Sequence, residues 1–292
     1  MARLLEGRVA VVTGSGNGIG RAEAKGMAAL GAKVVVDDIG TSWDGKGTSK
    51  VPADTVVKEI QDAGGTAIAC YDSVATEKGA EGIINTAIKN YGRIDILVND
   101  AGIVLDPRPV FEIPNSEWEA IIKTHLYGTF YCTRYACGFM SKQKYGRIIN
   151  TSSHVGLGWE GFTAYGAAKE GIAGLTRTVA RDMAKYNVTC NAIRPVAAWR
   201  GTKNMTPRVA VNRPEDVASL VVYLASEEAD HINGCIFEVW HGHVGIFAEP
   251  PFVEKAINKA DGWTTEELAR EIPKKLTKGL TRESLPSALK LG

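Results

Sequence analysis

The sequence predicts an α/β protein: a doubly wound, Rossmann-type parallel sheet of about seven strands, forming one domain with a C-terminal arm. Three observations predict it. Short β-branched apolar runs alternate with longer stretches of helical period. A glycine-rich turn follows the first run, and the second run ends in a pair of acids.

The runs are Arg8–Thr13, Lys33–Asp38, Ala67–Tyr71, Ile94–Asn99, Arg147–Ser152, Val188–Ile193 and Cys235–Val239. They are apolar on both faces, the pattern of parallel strands covered by helices on both sides. Helix start signals fall between them. Asn212-Arg-Pro-Glu215 resembles a capping box, and Asn115-Ser116 caps the stretch beginning at Glu117. After the last run, Thr264-Thr-Glu-Glu267 is another cap signal, and Pro273 is expected to end that helix. Residues 1–245 therefore read as the domain. Residues 246–292 read as an arm that packs on the domain or on a neighbouring subunit.

The chain has 292 residues, 45% of them hydrophobic, so it can bury a full core. Its net charge of +1 gives no electrostatic case for nucleic acid or for an anionic membrane. No stretch approaches the roughly 20 apolar residues of a membrane span, and the N-terminus lacks signal-like regions. The five cysteines, at 70, 132, 137, 190 and 235, are an odd number with no CxxC pair. They are expected to be reduced thiols in a cytoplasmic protein.

The turn reads "VAVVTGSGNGIGRA", with spacing Gly14-x3-Gly18-x-Gly20. Glycines let the backbone turn tightly and approach a pyrophosphate, and the next helix offers its free N–H groups. The spacing differs from GxGxxG, since position 19 is Ile. The second run ends "VVVDDIG". An acid there accepts hydrogen bonds from adenosine ribose hydroxyls and repels the 2′-phosphate of NADP. No arginine opens the following loop, so NAD is the expected cofactor. Asp38 is favoured over Asp37 by its register from Gly31. The competing reading is a pair of solvated loop acids.

The glycine turn, "LVNDAG" at 97–102, "NTSSHVG" at 150–156 and Tyr165-x3-Lys169 occur in that order. With these motifs, residues 5 to about 245 resemble the short-chain dehydrogenase/reductase family. The resemblance implies NAD-dependent interconversion of a secondary alcohol and a ketone. Tyr165 is then the acid–base residue. Lys169, one helical turn on, is expected to lower the Tyr165 pKa from about 10 and to bond the nicotinamide ribose. Small residues nearby (Ala164, Gly166, Ala167, Ala168) would admit cofactor and substrate. A serine after the fifth strand would bond the substrate oxygen. Ser153 is favoured from "SSxxG", and Ser152 is the alternative from the spacing to Tyr165. The implied cofactor contacts are Gly14, Asn17, Gly18, Ile19, Gly20, Asp38, Asp72, Ser73, Asn99, Ala101 and Gly102, with Tyr165 and Lys169.

Two positions depart from the family pattern. His125 stands where many relatives carry a proton-relay Asn; it reads equally as a relay or as a core histidine. Asp100 stands where "NNAG" is usual. His241 and His243 have no acid or Cys near them in sequence, and no metal is expected. The insertion after "VVVDDIG", "CYDSV", "THLYGTF" and "KQKYGRIINTSS" resemble the (3R)-hydroxyacyl-CoA dehydrogenase part of peroxisomal multifunctional enzyme type 2. That implies a 3-hydroxyacyl-CoA substrate, or a bulky ring alcohol such as a steroid. Val196, Trp199 and Arg200 depart from the usual pocket region, and Arg200 is a candidate for a CoA phosphate. The family also implies a homodimer or homotetramer. A second class of reading is a non-catalytic NAD-binding sensor or scaffold; a third is a structural partner acting through the arm.

Overall fold

In the computed structural model, residues 4–197, 212–248, 251 and 253–278 are described. Trp199 and Arg200 lie outside them. Eight strands form one sheet in the order β3-β2-β1-β4-β5-β6-β7-β8. The first seven are β1 Val9–Thr13, β2 Lys33–Asp37, β3 Thr66–Cys70, β4 Ile96–Asn99, β5 Gly146–Thr151, β6 Val188–Pro195 and β7 Ile236–Trp240. All seven run parallel, and each overlaps its expected run.

The eighth strand, β8 His243–Ile246, returns antiparallel to β7 through a tight turn. The sequence reading missed it. Four residues containing a glycine, with Val244 and Ile246 exposed, carry no buried apolar face to signal a strand. The backbone partner in β7 makes it one.

Apolar side chains on the two sheet faces meet two helical layers. Helices α1 Gly18–Ala29, α2 Val51–Asp62 and α7 Pro214–Leu224 cover one face, burying Met27, Val56, Ile60 and Val217. On the other face α3 Glu77–Tyr91, α5 Gly128–Gln143 and α6 Thr163–Met183 bury Ile83, Ala136, Met140 and Ala180. Helix α4, Asn115–Ile122, precedes α5 and is joined to it by a π-helical turn at Lys123–Tyr127.

Three expected helix signals shift. The cap of α7 is Arg213, one residue past Asn212, because Asp216 rather than Glu215 returns to its backbone N–H at 3.3 Å. Helix α4 begins at Asn115 itself, with Pro114 before it and no side-chain cap. Helix α8, Thr265–Lys275, keeps the expected Thr264/Glu267 capping box. Pro273 sits inside that helix rather than ending it. Proline removes only its own donor, and Leu276 still donates to the Ile272 carbonyl at 2.9 Å.

The chain divides into two compact units, Met1–Phe247 and Ala248–Gly292. The division follows β8 because Phe247 N–H still donates to the Ile236 carbonyl, at 2.9 Å. Among the described residues of the second unit, α8 is the helix and none of its residues is buried.

Candidate active site

Strand order reverses between β1 and β4, and the helices α1 and α5 that follow them lie on opposite faces of the sheet. Open α/β sheets bind ligands at such a switch point. Thr13, Asp37 and Asn99 lie level in register there, and Asn150 lies level with Asn99. Every candidate site residue follows one of these strand ends or lies on a helix packed above them.

The glycine turn leaves β1 with Gly14 at φ +69°. A Cβ on Gly14 would come within 2.6 Å of Ala101 Cα, so only glycine fits against the turn after β4. Thr13 Oγ1 ties that turn down, accepting from the N–H groups of Asp100 and Ala101 at 3.2 Å each. A Cβ on Gly20 would meet the Gly14 carbonyl oxygen at 2.7 Å. Asn17 is the N-cap of α1 in extended backbone, with no side-chain cap and no acid in the first turn. The first N–H groups of α1 are therefore available to an anion. The side chain of Ile19 packs on the core, so its contribution to a ligand is the backbone.

The two acids after β2 separate completely. Asp37 is buried in the core, and burial pushes its carboxyl well above the usual range. Asp38 faces the glycine turn: Oδ2 accepts from Gly16 N–H at 2.8 Å and Oδ1 from Gly40 N–H at 2.6 Å. Asp72 is exposed beyond β3, and Ser73 Oγ accepts from Ala75 N–H at 3.3 Å. The insertion before α2 reaches back across the cleft, where Val104 N–H donates to the Trp43 carbonyl at 3.1 Å. A cradle that a Cβ would fill, an uncapped helix start and an acid facing the glycine turn together fit a dinucleotide.

The Asn99 side chain is committed to the fold. Its amide donates to Thr133 Oγ1 at 3.1 Å and to Asn150 Oδ1 at 2.8 Å. Asn150 in turn donates to Thr176 Oγ1 at 3.0 Å. This buried ladder ties β4 and β5 to α5 and α6.

The two serines after β5 also separate. Ser152 is buried and donates to the Lys169 carbonyl at 2.9 Å. Ser153 Oγ accepts from Val155 N–H at 3.1 Å and hydrogen-bonds the Tyr165 hydroxyl. The geometry thus brings Ser153, not Ser152, to Tyr165. Helix α6 carries Tyr165 and Lys169 on one face, with the ammonium 5.4 Å from the ring centroid.

The expected lowering of the Tyr165 pKa by Lys169 is not seen. Burial pushes the phenol up to about 12, opposed by the Ser153 hydrogen bond and reinforced by Asp100. Lys169 is itself buried, which brings its ammonium down to about 8, and its Nζ donates to the Thr151 carbonyl at 2.6 Å. The lysine loses its charge at a lower pH than the phenol ionises, so it does not offset the desolvation of the phenol.

His125 lies inside, on the π-helical turn. Such turns recur at functional sites. Its ring meets Tyr165 edge-on, centroids 5.0 Å apart. Nε2 lies 2.7 Å from the Ile103 carbonyl oxygen. Burial, with Lys169 nearby, pulls its pKa down to about 3, so the imidazole is neutral. Beside Tyr165 an apolar slot is lined by Leu105, Ile113, Ile121, Phe162 and Ala164, with Arg108 and Glu117 also on its wall.

Residues that the sequence did not flag also enter the site. Glu238 from β7 is the acid beside His243 and His154, with His243 Nε2 2.9 Å from Oε1 and His154 Nε2 3.0 Å from Oε2, while His241 Nδ1 lies 3.0 Å from Asp216 Oδ2. Among the described residues no group of three such side chains could hold a metal. Thr151 and Glu23 are the others; only the folded sheet brings them beside Asp100. All five cysteines are free. Among the described residues no helix is long and apolar enough to cross a membrane.

The short chain dehydrogenase family matches residues 8–207, and the chain belongs to that family of oxidoreductases acting on CH–OH groups. It is 48% identical over 236 residues to the peroxisomal multifunctional enzyme type 2 of Drosophila melanogaster, covering 80% of this chain but only 39% of that one. It is 39% identical to a Mycobacterium tuberculosis hydroxyacyl-CoA dehydrogenase, ChsB1, over 90% of this chain and 87% of that one. Two solved structures are similar. A short chain dehydrogenase from Mycobacterium avium superposes at a TM-score of 0.85 with 41% identity, covering 98% of this chain and all of the other. A 7α-hydroxysteroid dehydrogenase, complexed with NADH and 7-oxo glycochenodeoxycholic acid, superposes at 0.74 with 29% identity, covering 82% and 94%.

Proposed function

We propose that the protein is an NAD-dependent dehydrogenase that interconverts a 3-hydroxyacyl-CoA and its 3-oxo form. The observation that carries this reading is the convergence of Ser153, Tyr165 and Lys169 beside the uncapped glycine turn. The similarity to a hydroxyacyl-CoA dehydrogenase over most of both chains supports the substrate class.

When bound, NAD supplies the hydride acceptor. The glycine turn and the start of α1 would hold its pyrophosphate, and Asp38 its adenosine ribose. Lys169 would reach the nicotinamide ribose. Ser153, braced by Val155 N–H, holds the substrate oxygen. Tyr165, held as the neutral phenol, gives its proton to that oxygen in reduction; oxidation is the reverse step and starts from the phenolate. His125, neutral at working pH, steadies the Tyr165 ring and the 103 loop instead of carrying a proton. A sensor or scaffold has no use for these three residues held together, which argues against the non-catalytic reading.

The test is loss of NADH with acetoacetyl-CoA, run in parallel with a ring ketone. Turnover of the thioester is expected. Turnover of the ring ketone alone would keep the catalytic assignment and replace the acyl substrate with a steroid-like alcohol, the reading favoured by the 7-oxo bile acid in the similar structure. Cofactor choice is tested separately: NAD is expected to be preferred by about tenfold or more in kcat/KM, since the Asp38 carboxylate opposes a 2′-phosphate. A preference for NADP would overturn that assignment. A homodimer or homotetramer belongs to the same reading, and Tyr127 and Phe130 give it exposed apolar surface. The free thiols fit a cytoplasmic, reducing setting.

A further inference from the structure

Asp100 is a carboxylate at a point where the cleft already holds a buried cation. It is tied on three sides. Its Oδ1 accepts from Thr151 Oγ1 at 2.9 Å. Its backbone N–H is held by Thr13 Oγ1. Oδ2 lies against Gly20, whose backbone N–H bonds the carboxylate at the start of α1. Thr151 joins this acid to Lys169: its hydroxyl serves Asp100 while its carbonyl accepts the Lys169 ammonium at 2.6 Å. Lys169 is 3% exposed.

Behind Asp100 lies a second acid. Glu23, on α1, is fully buried, and neither carboxyl oxygen has a hydrogen-bond partner in the protein. An ionised carboxylate without a partner in the core is costly, and a second negative charge beside it more so. The charged groups around the pair are Lys169 from α6 and Asp38 after β2; the Tyr165 phenol, also on α6, feels Asp100.

We propose that Asp100 is the counter-ion and positioning residue of Lys169, acting through Thr151, and that Glu23 stays protonated so that the pair carries one negative charge. The inference rests on the dehydrogenase reading for its catalytic consequence, but its charge assignment concerns the protein alone. Burial raises both carboxyls, Asp100 to about 6, and the proton is assigned to Glu23 because neither of its oxygens has a partner, whereas Asp100 accepts from Thr151. Burial also lowers Lys169 to about 8, and Asp100 is the charge that holds it up. The sign follows. Removing the Asp100 charge lowers the pKa of Lys169, so the ammonium is lost at lower pH.

The test uses the full chain labelled with 13C at lysine Cε. The Lys169 signal, identified by its absence in Lys169→Met, is titrated in wild type and in Asp100→Asn. The midpoint is expected to fall by about one pH unit in the variant. The alkaline limb of the pH–rate profile is expected to move down with it. An unmoved midpoint overturns the counter-ion assignment, whatever the rates do. Glu23 is read by infrared difference spectroscopy at pH 8. A protonated-carboxyl band is expected in wild type and in Asp100→Asn, with a component that is lost in Glu23→Gln and a remainder from the buried Asp37. A band unchanged in Glu23→Gln overturns the neutral-Glu23 assignment. Should no substrate turn over in wild type, the dehydrogenase reading fails, while the titration and the infrared band still decide the charges.

Discussion

Tyr165→Phe is expected to lower turnover by about 10³-fold or more while NADH still binds near its wild-type affinity. The phenol is the group placed to exchange a proton with the substrate oxygen, and phenylalanine keeps the ring that His125 meets edge-on at 5.0 Å. The Tyr165 ring also packs on the buried cluster of Ile103, Ile121, Ala164 and Ala168, so folding should survive the loss of the hydroxyl. Steady-state kinetics beside a fluorescence titration with NADH separates the two effects. Unchanged turnover would remove Tyr165 from the chemistry. Loss of NADH binding would make it a cofactor residue instead.

The second large effect separates the adjacent serines. Ser153→Ala is expected to cost about 10²-fold in kcat, since its hydroxyl is the donor that reaches the substrate oxygen and already bonds Tyr165. Ser152→Ala should leave kcat within a few-fold and lower thermal stability by about 1 kcal/mol, because its hydroxyl is buried on the Lys169 carbonyl. Paired measurements of kcat and Tm check both. The reverse pattern would show that the serine facing the substrate is Ser152.

Some of this was legible in the sequence because it depends on near neighbours in the chain. The strand runs could be read because two-sided burial demands unbroken apolar sequence, as in Val9–Thr13 and Ile96–Asn99. The glycine turn could be read because positive φ and close approach leave few residues that fit. Tyr165 and Lys169 share a face because four residues make about one helical turn. Antiparallel β8 could not be read, since pairing with β7 alone defines it. The choice of Ser153 over Ser152 needed the packing of α6 against β5, which takes the Ser152 hydroxyl.

The residue types present and their local spacing therefore determined the parallel sheet, the dinucleotide cradle and the Tyr–Lys pair. The tertiary structure decided everything that depends on how far a group is from water and from other charges. It turned Asn99 into a sheet tie, made His125 a neutral ring and pushed Tyr165 upward instead of downward. It also brought Glu23, Asp100 and Lys169, remote in sequence, into one electrostatic unit. The physical reason is that hydrogen bonds within a turn or helix are set by neighbours in the chain. Desolvation and Coulomb interactions are set by what the fold packs around a group.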